Sequence, residues 1–364
     1  MKKSKWGFLL VSVAILTLLA ACSGDDKATS DEVDYNALSL EEIEKKAKDE
    51  GTINSIGMPD AWANWEETWT EISDVYGLKH VDTDMSSAEE IAKFEAEKKD
   101  ASADIGDVGI AYGPIAEQKD LTIAYKTSYW DEIPKWAKDE DGDWIVGYTG
   151  TISFIADKKV VKDIPTSWEE LMKSNYVVTV GDALTANQAQ FAILAASFAY
   201  GGDETNVQPG IDYFAELAKQ GRLSVTDPTV ANLEKGEIEV GILWDFNSLG
   251  YRKQIDENRF DVTIPSDASV VSGYATIINK YAKNPHSAVL TREYILSDEG
   301  QDNLAKGFAR PIRDDAKLSA EGKASLLDAS LYENVLPVKD FDVWKETTAQ
   351  IPTLFQEQVL IHVK

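Results

Sequence analysis

Cysteine and histidine are both scarce in this chain of 364 residues. Cys22 is the only cysteine, so a disulfide within the chain is excluded. The three histidines, His80, His286 and His362, lie too far apart to share the ligand spacing of a zinc site. We therefore predict no metal site.

The motifs of several common enzyme classes are also missing. The sequence contains no P-loop, no Gly-x-Ser-x-Gly elbow and no glycine fingerprint for a dinucleotide. We predict that the protein has no cofactor and is not an enzyme. A hydrolase with a pair of carboxylates stays open as an alternative, because the chain has 63 acidic residues and no pair among them stands out.

Basic residues are few compared with acidic ones. The chain has 36 Lys and Arg against 63 Asp and Glu, a formal net charge of -27 at pH 7. Proteins that bind nucleic acid need Lys and Arg to contact phosphates, so we predict no nucleic-acid partner. A strongly acidic surface is typical of a soluble protein whose copies repel one another, and we expect a monomer.

The N-terminus carries an export signal. Lys2, Lys3 and Lys5 precede an uncharged run over residues 6–21 that is too short for a comfortable membrane span. The following Leu19-Ala20-Ala21-Cys22 resembles the lipobox of bacterial lipoproteins, in which the cysteine is diacylated. We expect a signal peptide over 1–21, a lipid anchor at Cys22, a polar tether over 22–37, and a location at the extracellular face of the cell membrane, or anchoring in the periplasm or at the outer membrane if the host has two membranes. An ordinary secretory signal is the alternative.

The remaining chain is longer than one hydrophobic core usually grows, which predicts two lobes. Its apolar periodicity alternates between strand and helix, so the fold class is α/β. We predict one lobe from 38–150 together with about 275–364, and the other from 151–274. In the first lobe the predicted order is a helix at 40–47, a strand at 52–58, a helix at 62–76, a strand near 80–81, a helix at 86–98 and a strand at 104–110. In the second it is a strand at 177–180, helices at 186–200 and 211–220, and strands at 240–243, 261–264 and 272–278. Crossings between the lobes are expected near 148–155 and 262–274.

Three segments carry a resemblance to a known family: Pro165-Thr166-Ser167-Trp168-Glu169-Glu170-Leu171, Ser297-Asp298-Glu299-Gly300-Gln301 and Gly307-Phe308-Ala309-Arg310-Pro311-Ile312-Arg313. In this order, behind a lipobox, they resemble the extracellular solute-binding proteins of ABC importers. The resemblance covers about residues 50–360 and is greatest to the type II branch, which includes spermidine/putrescine, thiamine, phosphonate and ferric-ion binders. It implies a type II periplasmic-binding-protein fold with two crossover strands, a ligand cleft between the lobes, a small-molecule solute and an ABC permease as partner.

Ligands of open α/β sheets bind beyond the carboxyl ends of the strands, so the loops at those ends are candidate binding sites. The first such loop holds Trp62, although Trp62, Trp65 and Trp69 at helical spacing also fit a core stripe. The second holds Asp84, Ser86 and Ser87, where Ser86 and Glu89 also fit a capping box. The third holds Tyr112, which could equally pack on its own turn.

The second lobe and the crossings supply the other candidate ligand contacts. Trp244 and Asp245 are the sharpest, because an aromatic face beside a carboxylate suits a desolvated cation. Asp182 fits both a ligand contact and a helix cap. The complete group that we predict here is Thr149, Thr151, Asp182, Trp244, Asp245, Asn247 and Tyr274.

Two departures from the family pattern bear on the identity of the solute. Polyamine binders of the family tend to carry a Trp and an acid after the last crossing, where this chain has Ser272-Gly273-Tyr274, so the polyamine pattern is not complete. Ferric-ion binders of this branch carry two adjacent tyrosines where this chain has Trp244-Asp245-Phe246-Asn247, which disfavours iron. We predict a polyamine-like amine or a zwitterion. One alternative is a phosphonate, sugar phosphate or iron complex held by Ser86, Ser87, Arg310 and Arg313. Another is a surface adhesin or a hydrolase with the same fold.

Overall fold

Helices and strands alternate along residues 33–363, the part of the chain that this computed structural model describes. The predicted signal peptide, Cys22 and most of the predicted tether lie outside the described residues. The end of that tether, Tyr35–Ala37, is a short 3-10 helix in which Tyr35 is buried. Residues 35–364 form one compact unit. Within the described range, no helix has the length and apolar character needed to cross a membrane.

The structure has short and long strands in one connected sheet. The strands are β1 (Thr52–Ile56), β2 (Lys79–Thr83), β3 (Ile105–Gly109), β4 (Trp144–Asp157), β5 (Val178–Thr179), β6 (Leu223–Ser224), β7 (Val240–Trp244), β8 (Phe260–Thr263), β9 (Ser269–Ile278), β10 (Arg310–Pro311) and β11 (Val335–Pro337).

Helices connect these strands and cover the sheet. They are α1 (Leu40–Glu50), α2 (Trp65–Tyr76), α3 (Ser87–Glu97), α4 (Gly113–Gln118), α5 (Trp168–Lys173), α6 (Asn187–Ala199), α7 (Gln208–Lys219), α8 (Val230–Lys235), α9 (Asp245–Ile255), α10 (Pro285–Ile295), α11 (Asp298–Lys306), α12 (Ala320–Ser325), α13 (Phe341–Thr348) and α14 (Ile351–Gln358).

The sheet has two parallel portions joined by antiparallel strands. Its order is β2-β1-β3-β9-β4-β7-β5-β6. Strands β2, β1 and β3 are mutually parallel, as are β7, β5 and β6. Strands β9 and β4 lie between the two portions; they run antiparallel to each other, and β9 is antiparallel to β3 and β4 to β7. The α/β fold class is therefore confirmed.

Strand β4 belongs to both portions of the sheet. Residues 144–151 pair with β9, whereas residues 152–156 pair with β7. All fourteen residues of β4 are buried, which explains why its sequence lacks a polar alternation. The chain passes between the portions a second time from β8, which pairs with β4, to β9. The two-lobe division at 150 and 275 stays a prediction.

One predicted element begins later than expected. The tryptophan spacing predicts a helix from Trp62, but α2 begins at Trp65 because Ala63 and Asn64 adopt left-handed backbone angles, with φ of 49° and 61°. Trp65 and Trp69 are buried in the core, as the stripe predicts. Trp62 lies in the preceding loop and is only partly buried.

The first-turn signals of α3 are as expected. Glu89 accepts hydrogen bonds from the backbone N–H of Ser86 at 2.9 Å and from its hydroxyl at 2.7 Å. The predicted capping box is therefore confirmed. It fixes where α3 begins and so places Ser87 and Glu90 on the first turn.

Candidate functional site

A cavity of about 510 Å³ opens where strands from both portions of the sheet end. Loops or helices that follow β1, β2, β6 and β7 contribute to its wall, as does the start of α6. This is the position at which ligands bind in open α/β sheets. The lining residues are Gly57, Pro59, Ala61, Trp62, Asp84, Met85, Ser86, Ser87, Glu90, Asp107, Ala186, Asn187, Gln188, Asp227, Pro228, Thr229, Val230, Ala231, Leu243, Asn247, Tyr251 and Tyr274.

The wall of this cavity carries four acidic side chains. Asp84 and Asp227 are exposed, whereas Glu90 is 1% exposed and Asp107 is 3% exposed. Among the described residues, no lysine or arginine lines the cavity. A site of this charge repels anions and attracts cations.

The two buried acids each have an oxygen without a partner. Asp107 accepts a hydrogen bond from the Tyr148 hydroxyl at 2.6 Å through Oδ2, but its Oδ1 has no hydrogen-bond partner within residues 33–363. The same is true of Glu90 Oε2. Buried polar atoms are nearly always hydrogen-bonded, so two such oxygens in one cavity wall indicate a place for a donor from outside the chain.

Burial controls the protonation of this pair. Burial raises the pKa of Asp107 to about 8, although the hydrogen bond from Tyr148 acts in the opposite direction. Burial and then the negative charge of Asp107 raise the pKa of Glu90 well above its ordinary value. A carboxylate without a cation is expensive in a buried site, so the neutral form is favoured.

Aromatic side chains form the floor beside the acids. Trp62 contacts Tyr274 edge-on, with ring centroids 5.5 Å apart, and Tyr274 lies nearly parallel to Tyr148 at the same separation. Tyr251 adds a further ring to the wall. Aromatic faces attract organic cations, so rings and carboxylates act in the same direction.

Six of the predicted ligand residues line the cavity: Trp62, Asp84, Ser86, Ser87, Asn247 and Tyr274. The hydroxyl of Ser86 donates to Glu89, and the hydroxyl of Ser87 accepts the Gly109 backbone N–H at 3.0 Å. Both serines therefore already have partners within the fold. Their contact with a solute stays a prediction.

Trp244 and Asp245 do not line the cavity, contrary to the expected arrangement. Trp244 is fully buried, and its indole N–H donates to the Tyr274 hydroxyl at 2.9 Å. Asp245 is buried and accepts from the backbone N–H of Thr151 at 2.9 Å and from the Tyr332 hydroxyl at 2.6 Å. Trp244 therefore supports Tyr274, which lines the cavity, whereas Asp245 is hydrogen-bonded to residues outside the lining. Their direct contact with a solute has no support from this arrangement.

Four other predicted residues also lie outside the lining. Thr149 and Thr151 are buried within β4. Tyr112 packs against the hydrophobic cluster beside α4, which matches its alternative interpretation. Asp182 accepts from the Leu184 N–H and the Thr185 hydroxyl, both at 2.9 Å, and so closes a turn before α6.

Sequence reasoning did not assign Glu90, Asp107, Asp227 or Tyr251 to the site. One signal was available, because an aspartate in the middle of the apolar strand β3 is unusual unless it has a function. Glu90 gave no such signal, since an acid in the first turn of a helix is ordinary. Its burial depends on residues of other strands.

The cavity at the strand ends and the two-part sheet define a protein that binds a small molecule. A family model described as bacterial extracellular solute-binding protein matches residues 102–347. The chain belongs to this family. It is a solute-binding protein, and the resemblance inferred from the sequence is confirmed.

Solved structures show the same fold at low identity. The fructose-6-phosphate-bound periplasmic binding protein AfuA of Actinobacillus pleuropneumoniae is 18% identical, with a TM-score of 0.70 over 84% of this chain and 98% of that chain. The spermidine/putrescine-binding protein PotD of Streptococcus pneumoniae is 15% identical, with a TM-score of 0.64 over 85% of this chain and 99% of that chain. Iron-bound HitA of Pseudomonas aeruginosa is 16% identical, with a TM-score of 0.65 over 85% and 99%. No curated protein sequence matches significantly.

These likenesses confirm the type II periplasmic-binding-protein fold. Fructose 6-phosphate, spermidine or putrescine, and iron differ in charge, so the fold alone does not select a solute. The family is one of transport binding proteins. The choice among solutes has to come from the side chains of this cavity.

Proposed function

We propose that this protein captures a small organic cation, of the polyamine or simple amine class, and delivers it to an ABC permease. The observation that carries the proposal is the composition of the cavity wall. Asp84, Glu90, Asp107 and Asp227 line it together with Trp62, and no basic side chain of the described residues does. Carboxylates and aromatic rings are the groups that replace the hydration shell of an ammonium ion.

The two arginines expected to hold an anionic solute are engaged elsewhere. Arg313 forms ion pairs with Glu132 and with Asp298, the latter at 3.2 Å. Arg310 lies over the Tyr332 ring at 3.9 Å and donates to a backbone carbonyl at 2.7 Å. Neither arginine lines the cavity. This arrangement favours the amine over the phosphonate, sugar phosphate or iron complex.

A zwitterion is the second candidate. Helix α6 begins at the cavity with Asn187, and its N-cap residue Ala186 provides no side-chain cap. The free N–H groups of such a helix end attract a negative group. A solute with an ammonium group toward Glu90 and Asp107 and an anionic group toward α6 would use both features.

The test is a thermal-shift series on the purified protein. Putrescine, spermidine, amino-acid zwitterions, aminoalkylphosphonates, fructose 6-phosphate and ferric salts are compared at equal concentration. A ligand present at 100 times its Kd adds about 2.7 kcal/mol to stability and raises the midpoint by several degrees. A shift with amines supports the proposal, and a larger shift with zwitterions selects the second candidate. A shift only with the purely anionic compounds or iron would contradict it.

We further propose that capture closes the cleft between the two predicted lobes. Strand β4 changes partners at residues 151–152, and the cavity is lined from both portions of the sheet. A solute that contacts both portions stabilises the closed state, which the permease then recognises. Small-angle scattering should show a smaller radius of gyration with the amine. An unchanged radius with a bound amine would count against closure and leave the adhesin or hydrolase alternative open.

The membrane anchor is a separate proposal. The lipobox-like sequence before Cys22 supports diacylation and attachment at the extracellular face of the membrane. The monomeric state is proposed as well, from the acidic charge alone. Replacing Cys22 with Ala should release the protein into the medium, and retention of that variant in the membrane fraction would contradict the anchor.

A further inference from the structure

The carboxyl group of Glu90 occupies a space that side chains at Gly57 and Gly106 would fill. The group lies against Gly57 after β1 and against Gly106 in β3. A Cβ atom at Gly106 would lie 2.6 Å from Glu90 Oε2 and 3.3 Å from both Ile56 and Ile277. The carboxyl group therefore occupies a space bounded by two strands and reaches the cavity from below.

The groups that face this space are all neutral or acidic. Asp107 is on β3, Tyr148 is on β4 and Tyr274 is on β9. From the side of β2 come Asp82, which accepts from the Ser55 hydroxyl at 2.6 Å, and Asp84. Ser55 also contacts His80, whose pKa burial lowers to about 4, so this imidazole is neutral at pH 7.

Two oxygens in the cavity wall, unpartnered among the described residues, are suited to accept hydrogen bonds from a cationic donor. Glu90 Oε2 and Asp107 Oδ1 are both buried and both belong to residues that line the cavity. Ser272 Oγ, on the adjacent strand β9, also lacks a partner within the described chain. The negative charge of Asp107 raises the pKa of Glu90, so ionisation of both buried carboxyl groups is unfavourable unless a positive charge enters.

We propose that Glu90 and Asp107 form the ammonium-binding subsite of the cavity, that the empty pair retains a proton, and that an entering ammonium group displaces this proton to solvent. The inference rests on the proposed function, because it requires a cationic solute. In the step, one carboxyl O–H bond breaks and its proton passes to the buffer. The ammonium group keeps its own protons and donates hydrogen bonds to the carboxylate. Capture of the cation therefore weakens as the medium becomes acidic.

The raised pKa values of both acids agree with this geometry. With the pKa of Asp107 at about 8 and that of Glu90 well above its ordinary value, both carboxyl groups of the pair are protonated at pH 7 without a cation, and the entering ammonium group displaces one of these protons. A bound ammonium group favours the ionised form and lowers both values. Binding and proton release are thus linked, and affinity rises with pH up to the range in which the empty pair ionises.

The experiment is calorimetric titration of the protein with putrescine at pH 7 in two buffers, phosphate and Tris, whose ionisation enthalpies differ. The difference in heat gives the number of protons released. We expect about half to one proton for each putrescine bound, from the titration of a single carboxyl group. Affinity should fall about tenfold for each pH unit at most as the pH is lowered below 7.

Variants assign the proton to the pair. Glu90→Gln and Asp107→Asn should bind putrescine more weakly, since each removes a carboxylate that faces the ammonium group. At least one of the two variants should release fewer protons than the wild type, since each removes one ionisable group at constant size. Glu89→Gln is the matched control. Glu89 is the neighbouring, exposed acid on α3, and glutamine also forms a capping box. It should keep the wild-type proton number.

The outcomes separate this inference from the proposed function. Putrescine binding with equal heats in both buffers would overturn the proton-linked subsite and leave the cation-binding function standing. Unchanged proton release in both Glu90→Gln and Asp107→Asn would overturn the assignment to this pair. Failure of every amine and zwitterion to bind folded protein would overturn the function and the subsite together.

Discussion

Two buried aspartates in the same sheet have opposite surroundings. Asp157, at the end of β4, is paired with Arg259 at 2.7 Å, and the backbone N–H of Lys159 donates to its other oxygen at 3.0 Å. Asp107, in β3, has only the Tyr148 hydroxyl as a side-chain donor. Both side chains are almost fully buried.

The pKa values of the two aspartates move in opposite directions. Burial would raise the pKa of Asp157, but the hydrogen bonds from Arg259 and Lys159 outweigh it and the value is lowered. At Asp107 burial prevails, and the pKa rises to about 8. Within the described residues, the chain supplies its own cation to Asp157 and none to Asp107, where we propose that the solute provides it. Burial alone does not single out a functional acid, whereas a buried acid without a cation partner is a candidate for one.

The largest effect is expected at the ion pair between Asp157 and Arg259. Arg259→Met leaves Asp157 buried without its cation, which costs about 3 kcal/mol of unfolding free energy. Chemical denaturation measures this loss. Amine affinity of the folded variant should stay within about twofold of wild type, because neither residue of the pair lines the cavity. A large loss of affinity with little loss of stability would break the comparison.

Substitution in the pair of Glu90 and Asp107 should have the opposite result, a loss of amine affinity without a loss of stability. Glu90→Gln removes a charge that faces the ammonium group, so affinity should fall about tenfold to a hundredfold, or about 1.4 to 2.8 kcal/mol. Stability without ligand should be unchanged or higher, because a buried carboxyl without a cation is replaced by a neutral group. Calorimetry and thermal unfolding measure the two quantities. Loss of stability without loss of affinity would assign Glu90 a structural role.

A variant that changes no charge tests whether amine affinity depends on the position of the Glu90 carboxyl group. Gly106→Ala places a methyl group 2.6 Å from the present position of Glu90 Oε2, so the carboxyl group has to move. Affinity for the amine should fall about tenfold, as expected when a charged hydrogen bond is misplaced. Gly77→Ala is unsuitable as its control, because φ at Gly77 is 75°. Gly250→Ala is suitable, since the nearest atom lies 4.0 Å away. Equal amine affinities of Gly106→Ala and Gly250→Ala would contradict a role for the position of the Glu90 carboxyl group in binding.

Opposite pH dependences should follow from the opposite pKa shifts. Asp107 binds its proton more tightly in the folded state, so its contribution to stability is present below the unfolded pKa near 4 and is lost as the pH rises toward 8. Asp157 contributes stability above its unfolded pKa and loses it as the pH falls through the lowered folded value.

Thermal midpoints at pH 4, 6 and 8 test these signs without ligand. Relative to wild type, Asp107→Asn should become more stable from pH 4 to pH 8. Asp157→Asn should become less stable over the same range, with most of the change at its acidic end. Slopes of the same sign for both variants would contradict the assigned environments.

The smallest effect is expected at Asp245. Its oxygens accept hydrogen bonds from the backbone and from Tyr332, and it does not line the cavity. Asp245→Asn should change amine affinity by less than about threefold, because the charge is not directed at the solute. A loss of amine affinity as large as that of Glu90→Gln would support the direct contact of Trp244 and Asp245 with the cation that the sequence predicts.

The positions of several strands and helices could be predicted from the sequence, whereas others could not. Strands β1, β3 and β7 and helices α3 and α6 lie within a few residues of their predicted positions, because local apolar periodicity and capping residues determine them. Strand β4 was recognised only as a crossing. Its fourteen residues are buried throughout, so its sequence has no alternation that would mark its ends.

The site was predicted at the level of loops and less well at the level of side chains. Trp62 and Asp84 line the cavity because they follow strand ends, which sequence patterns locate. Trp244 also ends a strand, but its side chain points to the core, and a strand end does not reveal that direction. Glu90 depends on the space at Gly57 and Gly106, which are distant in sequence and adjacent only in the fold.

The most direct test of a cation site is a crystal structure of the protein with spermidine or putrescine bound. The account predicts an amine nitrogen about 3 Å from Glu90 Oε2 or Asp107 Oδ1, the oxygens that lack a partner. Trp62 and Tyr274 should contact the aliphatic part of the ligand. An amine held at Asp245 instead, with the Glu90 and Asp107 oxygens still without a donor, would contradict the account.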